Sequence, residues 1–181
     1  MDKPIKASEY GTVAVSLVVR DAKAAIDFYK KVLGAKHLYS LTMPNGGVAH
    51  AEFKIGDTII MIADENPGNK SPQTLGGSPV TLNIMVDNPD ATLAEAEKAG
   101  GKIVFPVADQ FYGFRSGRFQ DPFGHVWIVS KVLEELSPKE MQKRMDAMMG
   151  GMQEKGSEEA SKPSSSGKSP SQGKAAKSKT K

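Results

Sequence analysis

Short runs rich in Val, Ile and Leu alternate along the chain with stretches whose apolar residues recur every three or four positions. Two such units stand out, Val13 to Leu41 and Val80 to Val107. The first contains VAVSLVVRDAKAAIDFYKKVLGA and the second VTLNIMVDNPDATLAEAEKAGGK. They align without a gap at a separation of 67 positions: Ala14 meets Thr81, Val19 meets Val86, Ile26 meets Leu93, and Gly34 meets Gly101. Each unit predicts a strand, a helix start, a helix and a glycine stop. Asp21 and Asn88 suit N-caps, because their side-chain oxygens can accept from the free N–H groups of the first turn. Pro89 suits the first helical position, where no amide donor is required. Ala24, Ala25, Phe28, Val32 and Leu33 recur near helical spacing, as do Leu93, Ala96 and Ala99. Gly34 and Gly100-Gly101 then end the two helices.

Three extended segments follow each helix. After the first come Lys36 to Thr42, Val48 to Ile55 and Thr58 to Ala63, with turns at Pro44-Asn45-Gly46-Gly47 and Gly56-Asp57. After the second come Lys102 to Val107, Gly113 to Gln120 and His125 to Ser130. The pattern is βαβββ twice, joined by a polar Pro/Gly loop from Asp64 to Pro79. It predicts an α+β domain over residues 10–136, in which two tandem βαβββ modules form a curved mixed sheet, a half-barrel with a central cleft. Ser137-Pro138-Lys139-Glu140 then opens an amphipathic helix over 137–149, with Met141, Met145 and Met148 on one face. Such a face packs on its own domain or serves as a dimer contact or lid, since Met-rich surfaces adapt to partners.

Composition changes after Gly150. Residues 150–181 are dominated by Ser, Lys, Gly, Gln and Pro, too polar to offset the entropy of ordering, and are expected to be a disordered basic tail. That tail holds seven lysines against three glutamates, a surplus of four in a chain whose net charge is +3. The folded part is therefore near neutral, and neither its charge nor any motif points to a specific nucleic-acid partner. The chain has no cysteine, which excludes disulfides, thiolate metal sites and cysteine nucleophiles. No signal peptide or membrane-spanning run is visible, so a cytoplasmic protein without a membrane partner is expected.

The segment RSGRFQDPFGHVW, Arg115 to Trp127, predicts a strand, a tight turn at Asp121 to Gly124, and a second strand. A hairpin with DPFGHVW at its corner resembles the last hairpin of the vicinal oxygen chelate superfamily, which includes glyoxalase I, extradiol dioxygenases and bleomycin resistance proteins. His50-Ala51-Glu52 and the following Ile55-Gly56-Asp57 are similar to patterns of its PhnB-like group. The resemblance implies metal ligands on the first and fourth strands of each module, pointing into the cleft. Carried onto this chain by the repeat and the turn, those positions are Ala14, Thr81, Ile60 and Ile128, with Met61 replacing Ile60 if the strand register differs by one. Methyl, hydroxyl and alkyl groups do not supply the His or Glu donors such an ion needs. The expectation is no metal and no cofactor.

Strand alternation extends the expected cleft lining to Ala14, Ser16, Thr81, Asn83 and Met85 from the first strands and Ile60, Ile62, Ile128 and Ser130 from the fourth. This mostly apolar surface with a few neutral polar groups suits a small organic ligand. Tyr112 and Arg115, in a loop where PhnB-like sequences carry an acid beside the arginine and this chain has Phe114, are expected at the rim. His50 and Glu52 are the candidate catalytic pair, a base with its orienting partner; a purely structural hydrogen bond is the competing role. His125 is expected to secure a loop, and Trp127 to pack behind the sheet or under the helix. The sequence thus points to a metal-free, bleomycin-resistance-like protein that binds a small, largely apolar molecule, as a homodimer. The alternative is a lyase, isomerase or dioxygenase of the same superfamily using a displaced divalent metal.

Overall fold

In the computed structural model, which describes residues 6–160 and side chains as far as residue 150, the βαβββ pattern appears twice. The first module comprises β1 (Val15–Val19), α1 (Ala22–Leu33), β2 (Lys36–Thr42), β3 (Val48–Ile55) and β4 (Thr58–Asp64). A short helix, α2 (Pro72–Leu75), interrupts the connection. The second module comprises β5 (Thr81–Met85), α3 (Pro89–Lys98), β6 (Lys102–Asp109), β7 (Phe114–Gln120) and β8 (Val126–Val132). Within each module the first strand pairs in parallel with the fourth, and the remaining pairings are antiparallel. The orders are β1-β4-β3-β2 and β5-β8-β7-β6, so the mixed sheet expected from the pattern is built as two four-stranded sheets that do not close into a barrel.

The repeat is visible in the caps. Asp21 accepts from the Ala24 N–H at 2.9 Å, and Asn88, at the corresponding position, accepts from the Ala91 N–H at 3.1 Å. Gly34 ends α1 in the left-handed region at φ 64°, which costs glycine little and an L side chain 1–2 kcal/mol (about).

α1 joins the two modules. Its buried stripe of Ala22, Ala25, Ile26, Phe28, Tyr29 and Val32 meets residues of both sheets. Tyr29 stacks on Phe53 of β3 at 5.2 Å between ring centroids and lies 5.3 Å from Trp127 of β8. Phe28 packs against Phe119 of β7 and Phe123 of the following turn. Burying each such ring contributes about 1.5–3 kcal/mol, so neither half can lose the other without exposing its core.

The Asp121-to-Gly124 turn locks this arrangement. Asp121, almost fully buried, accepts the Tyr29 O–H at 2.7 Å and the Trp127 indole N–H at 2.9 Å on one oxygen. Its other oxygen accepts the backbone N–H groups of Phe123 and His125, both at 2.9 Å. Gly124 closes the turn at φ 92°. His125 Nε2 donates to the Val18 carbonyl oxygen of β1 at 3.1 Å, a second polar bridge between the modules.

A final helix, α4 (Pro138–Ala160), runs 11 residues beyond the expected end at 149. Gly150 and Gly151 weaken a helix but do not break it, and the helix-favouring Met152-Gln153-Glu154-Lys155 follows. Arg144 holds α4 to the preceding segment by a two-pronged contact with Glu134, at 2.9 and 3.0 Å. Met145 and Met148 remain open to solvent, so this face is not buried on its own domain among the described residues. The remainder of the expected tail, 161–181, lies outside the described residues. Among the described residues no helix is long and apolar enough to cross a membrane.

Candidate functional site

Each sheet has one face covered by helices and one open face, and strand alternation assigns residues to them. In β1, Leu17 and Val19 enter the core, which leaves Ser16 and Val18 on the open face. In β5, Leu82 and Ile84 pack towards the core, and the exposed Thr81, Asn83 and Met85 take the open face. In β8, Trp127 and Val129 are core residues, so Ile128 and Ser130 lie on the open face. Ser130 is buried there and donates to Asn83 Oδ1 at 3.0 Å. Ala14 lies one residue before β1.

β4 takes the other register. Ile60 and Ile62 are buried in the core, and Ile59, Met61 and Ala63 take the open face. The cause is the pairing of β3 with β4. Ile60 lies opposite Phe53, whose ring is held by Tyr29, and cross-strand partners share a face. A shift of one residue turns every side chain of a strand over.

Arg115 also differs from its expected place at the rim. It shares the helix side of β7 with Gly117, where an added Cβ would come within 3.0 Å of Leu93 Cδ2 of α3. Its guanidinium donates to Asp90 at 2.8 and 2.7 Å and to Asp109 at 2.6 Å. Those hydrogen bonds hold the Asp90 carboxyl below its ordinary value. The acid missing at Phe114 is thus supplied by the first turn of α3.

The open face of the first sheet carries a buried carboxylate. Glu52 of β3 is only 2% exposed and accepts from three side chains. Tyr10, in the segment leading into β1, donates to both carboxylate oxygens at 2.8 and 2.9 Å. Tyr39 of β2 donates at 2.9 Å, and His50 Nε2 at 3.2 Å. His50 and Glu52, two apart on one strand, are therefore brought together as expected, and two phenols complete the cluster. Donating to Glu52, and secondarily burial, push the Tyr10 phenol up to about 12. A carboxylate this occupied orients its donors; it has little free lone-pair capacity for a proton from a substrate.

The open face of the second sheet carries a cavity of about 360 Å³ instead. Phe105 and Pro106 of β6, Tyr112, Ser116 and Arg118 of β7 and its approach, and Ile128 of β8 line it. The β6–β7 ladder slips twice around Phe105, where Pro106 has no N–H to pair, and this opens the strands over the cavity. Tyr112 and Ser116 share a hydrogen bond at 3.3 Å. Two further cavities lie along the seam between modules. One, of about 220 Å³, lies beside α2 and includes Ser16, Pro72, Val80 and His125; the other, of about 350 Å³, includes Ile60, Leu82, Asn83 and Trp127.

Donor chemistry tests whether a divalent ion fits the positions implied by the resemblance. On the first and fourth strands the open-face groups are Ala14 or Ser16, Ile59 or Met61, Thr81 or Asn83, and Ile128 or Ser130. None is an imidazole, carboxylate or thiolate, so these residues do not fit such an ion. Among the described residues no three His, Asp or Glu side chains converge on a point that could hold one.

Comparison with known proteins agrees with this architecture. An uncharacterised protein of Mycobacterium bovis is 39% identical over 140 residues, covering 75% of this chain and 92% of the relative. The solved structure of an Arabidopsis thaliana gene product superposes with a TM-score of 0.55 at 27% identity, covering 67% of this chain and 98% of that one. The PhnB protein of Bacillus cereus superposes with a TM-score of 0.55 at 16% identity, covering 67% and 100%, a likeness of fold alone. The family model of the Glyoxalase/Bleomycin resistance protein/Dioxygenase superfamily matches residues 11–129. The chain therefore belongs to the glyoxalase, bleomycin resistance protein and dioxygenase superfamily.

Proposed function

We propose that this is a metal-free binding protein of the superfamily, of its PhnB-like group, which holds a small, largely apolar organic molecule in the cleft formed by the open faces of its modules. One observation carries the reading: the open-face positions of the first and fourth strands present alkyl, thioether, hydroxyl and amide groups instead of ion ligands. Such a lining favours an organic ligand fixed by a few hydrogen bonds. The exposed methionine face of α4, with Met145 39% and Met148 41% accessible, supports a homodimer formed through that helix.

A second reading, a lyase, isomerase or dioxygenase with a displaced divalent metal, draws on the 3.2 Å contact between His50 and Glu52. It would need at least a third protein ligand beside them.

Thermal-shift screening with a chelator present tests the first reading. A ligand at 100 times its Kd should add about 2.7 kcal/mol of stability, which is on the order of 5–10 °C in Tm for a domain of this size. A broad library of hydrophobic metabolites and antibiotics that produces no shift would contradict it.

A further inference from the structure

The chain has four arginines, and three are matched by carboxylates. Arg20 faces Glu65, Arg115 is held by Asp90 and Asp109, and Arg144 by Glu134 and Glu140. Arg118 takes part in none of the ion pairs or side-chain hydrogen bonds found among the described residues. It is also half-buried in the wall of the second sheet's open-face cavity. A guanidinium removed from water without a counter-charge is costly, and partly buried charges are normally paired. Among the described residues its compensation is the Phe105 ring, whose centroid lies 5.1 Å from the guanidinium carbon.

Alternation in β7 places Arg118 on the open face with Ser116, since Gly117 and Phe119 turn to the helix side. Its cross-strand neighbour is Ile128, and Ser116 lies opposite Ser130. The cavity therefore has a cationic fork at one point, two hydroxyls at Tyr112 and Ser116, and apolar walls from Phe105, Pro106 and Ile128. A volume of about 360 Å³ is at the small end for organic ligands.

We propose that this cavity takes a small planar organic carboxylate, and that Arg118 is the residue that selects for its charge. The inference rests on the binding reading above and supplies the ligand class that the apolar lining alone leaves open. The planar fork can donate two parallel N–H groups to a carboxylate, a geometry that an ammonium cannot reproduce. The ligand's ring would lie against Phe105 and Ile128, with Tyr112 and Ser116 in reach of its polar edge. Slippage of the β6–β7 ladder at Pro106 is what makes room for that ring beside the strand.

Calorimetric titration with sodium benzoate, neutral benzamide and phenyl phosphate tests this. Benzoate should bind at least tenfold more tightly than benzamide, and more tightly than phenyl phosphate. Arg118→Met should weaken benzoate at least tenfold and leave benzamide unchanged. Arg118→Lys should recover only part of the loss, and Arg20→Met, at a residue that is held by Thr74 and Glu65 and does not line this cavity, should change nothing. An unchanged near-ultraviolet circular dichroism spectrum shows that the variants retain their packing. Equal affinity for benzoate and benzamide, an unaffected Arg118→Met protein, or a preference for phenyl phosphate each overturns the inference. So does a failure of benzoate to bind. If neutral library members still stabilise the protein in those cases, the binding reading survives; if nothing binds, both fall.

Discussion

Asp121→Ala is expected to lower folding stability by about 3–5 kcal/mol, the size seen when a buried charge is removed from the groups that surround it. Four donors converge on this carboxylate: the Tyr29 hydroxyl, the Trp127 indole and two backbone amides of the turn. Alanine leaves all of them without an acceptor in a region closed to water, and each orphaned group costs about 1–3 kcal/mol, reduced where the structure can relax. Asp121→Asn should be milder, about 1–3 kcal/mol, because one side-chain oxygen remains. Its amide group would still oppose either the amides or the Tyr29–Trp127 side. Urea unfolding followed by circular dichroism measures both. A domain's whole stability is about 5–15 kcal/mol, so the alanine variant should be marginal at 37 °C (about). A loss below about 1 kcal/mol would mean that α1 and the last hairpin do not depend on this residue.

Glu52→Ala is expected to cost about 2–3 kcal/mol and to change how the protein responds to alkali. Tyr10 and Tyr39 would lose their shared acceptor, and the segment before β1 its polar contact with the open face. In the intact protein Tyr10 keeps its proton up to about 12, whereas an unfolded chain releases it near the ordinary value of 10.0. The folded form therefore holds the proton more tightly. Its advantage is complete below pH 10 (about) and is lost as the pH rises towards 12. Ultraviolet titration of the phenolates should show Tyr10 ionising near its ordinary value in Glu52→Ala. Tyr29, raised first by burial and then by Asp121, should stay high. An unchanged titration curve would show that Tyr10 does not donate to Glu52 in solution.

These two carboxylates show how far the sequence could be read. The internal repeat identified the order of elements, the caps at Asp21 and Asn88 and the two first strands. All of these depend on patterns within a few residues, and a gapless repeat doubles each signal. The DPFGHVW turn was legible as a hairpin, but not as the hub that ties Tyr29 to Trp127. The Tyr29–Asp121 hydrogen bond on which that hub depends spans 92 positions.

Errors of register arise differently. Five consecutive aliphatic or thioether residues from Ile59 to Ala63 contain no polar position to say which set faces the core. Only the pairing of Phe53 with Ile60 decides it. Likewise, Arg115 resembled a rim residue because its acids lie elsewhere in the chain, one of them 25 positions away on α3. Tyr10 carried no pattern at all before β1. Arg118, by contrast, was within reach: a glycine and a phenylalanine on the helix side of β7 imply that the residue between them faces the cleft.

Elemental analysis of the purified protein is the most direct measurement of whether the cleft works without an ion. The expected result is only trace divalent metal in both the wild-type protein and His50→Ala, with ligand-induced stabilisation unaffected by a chelator. Stoichiometric nickel, zinc, iron or manganese in the wild type, lost in His50→Ala, would contradict it and transfer the chemistry to the first sheet's His50–Glu52 cluster.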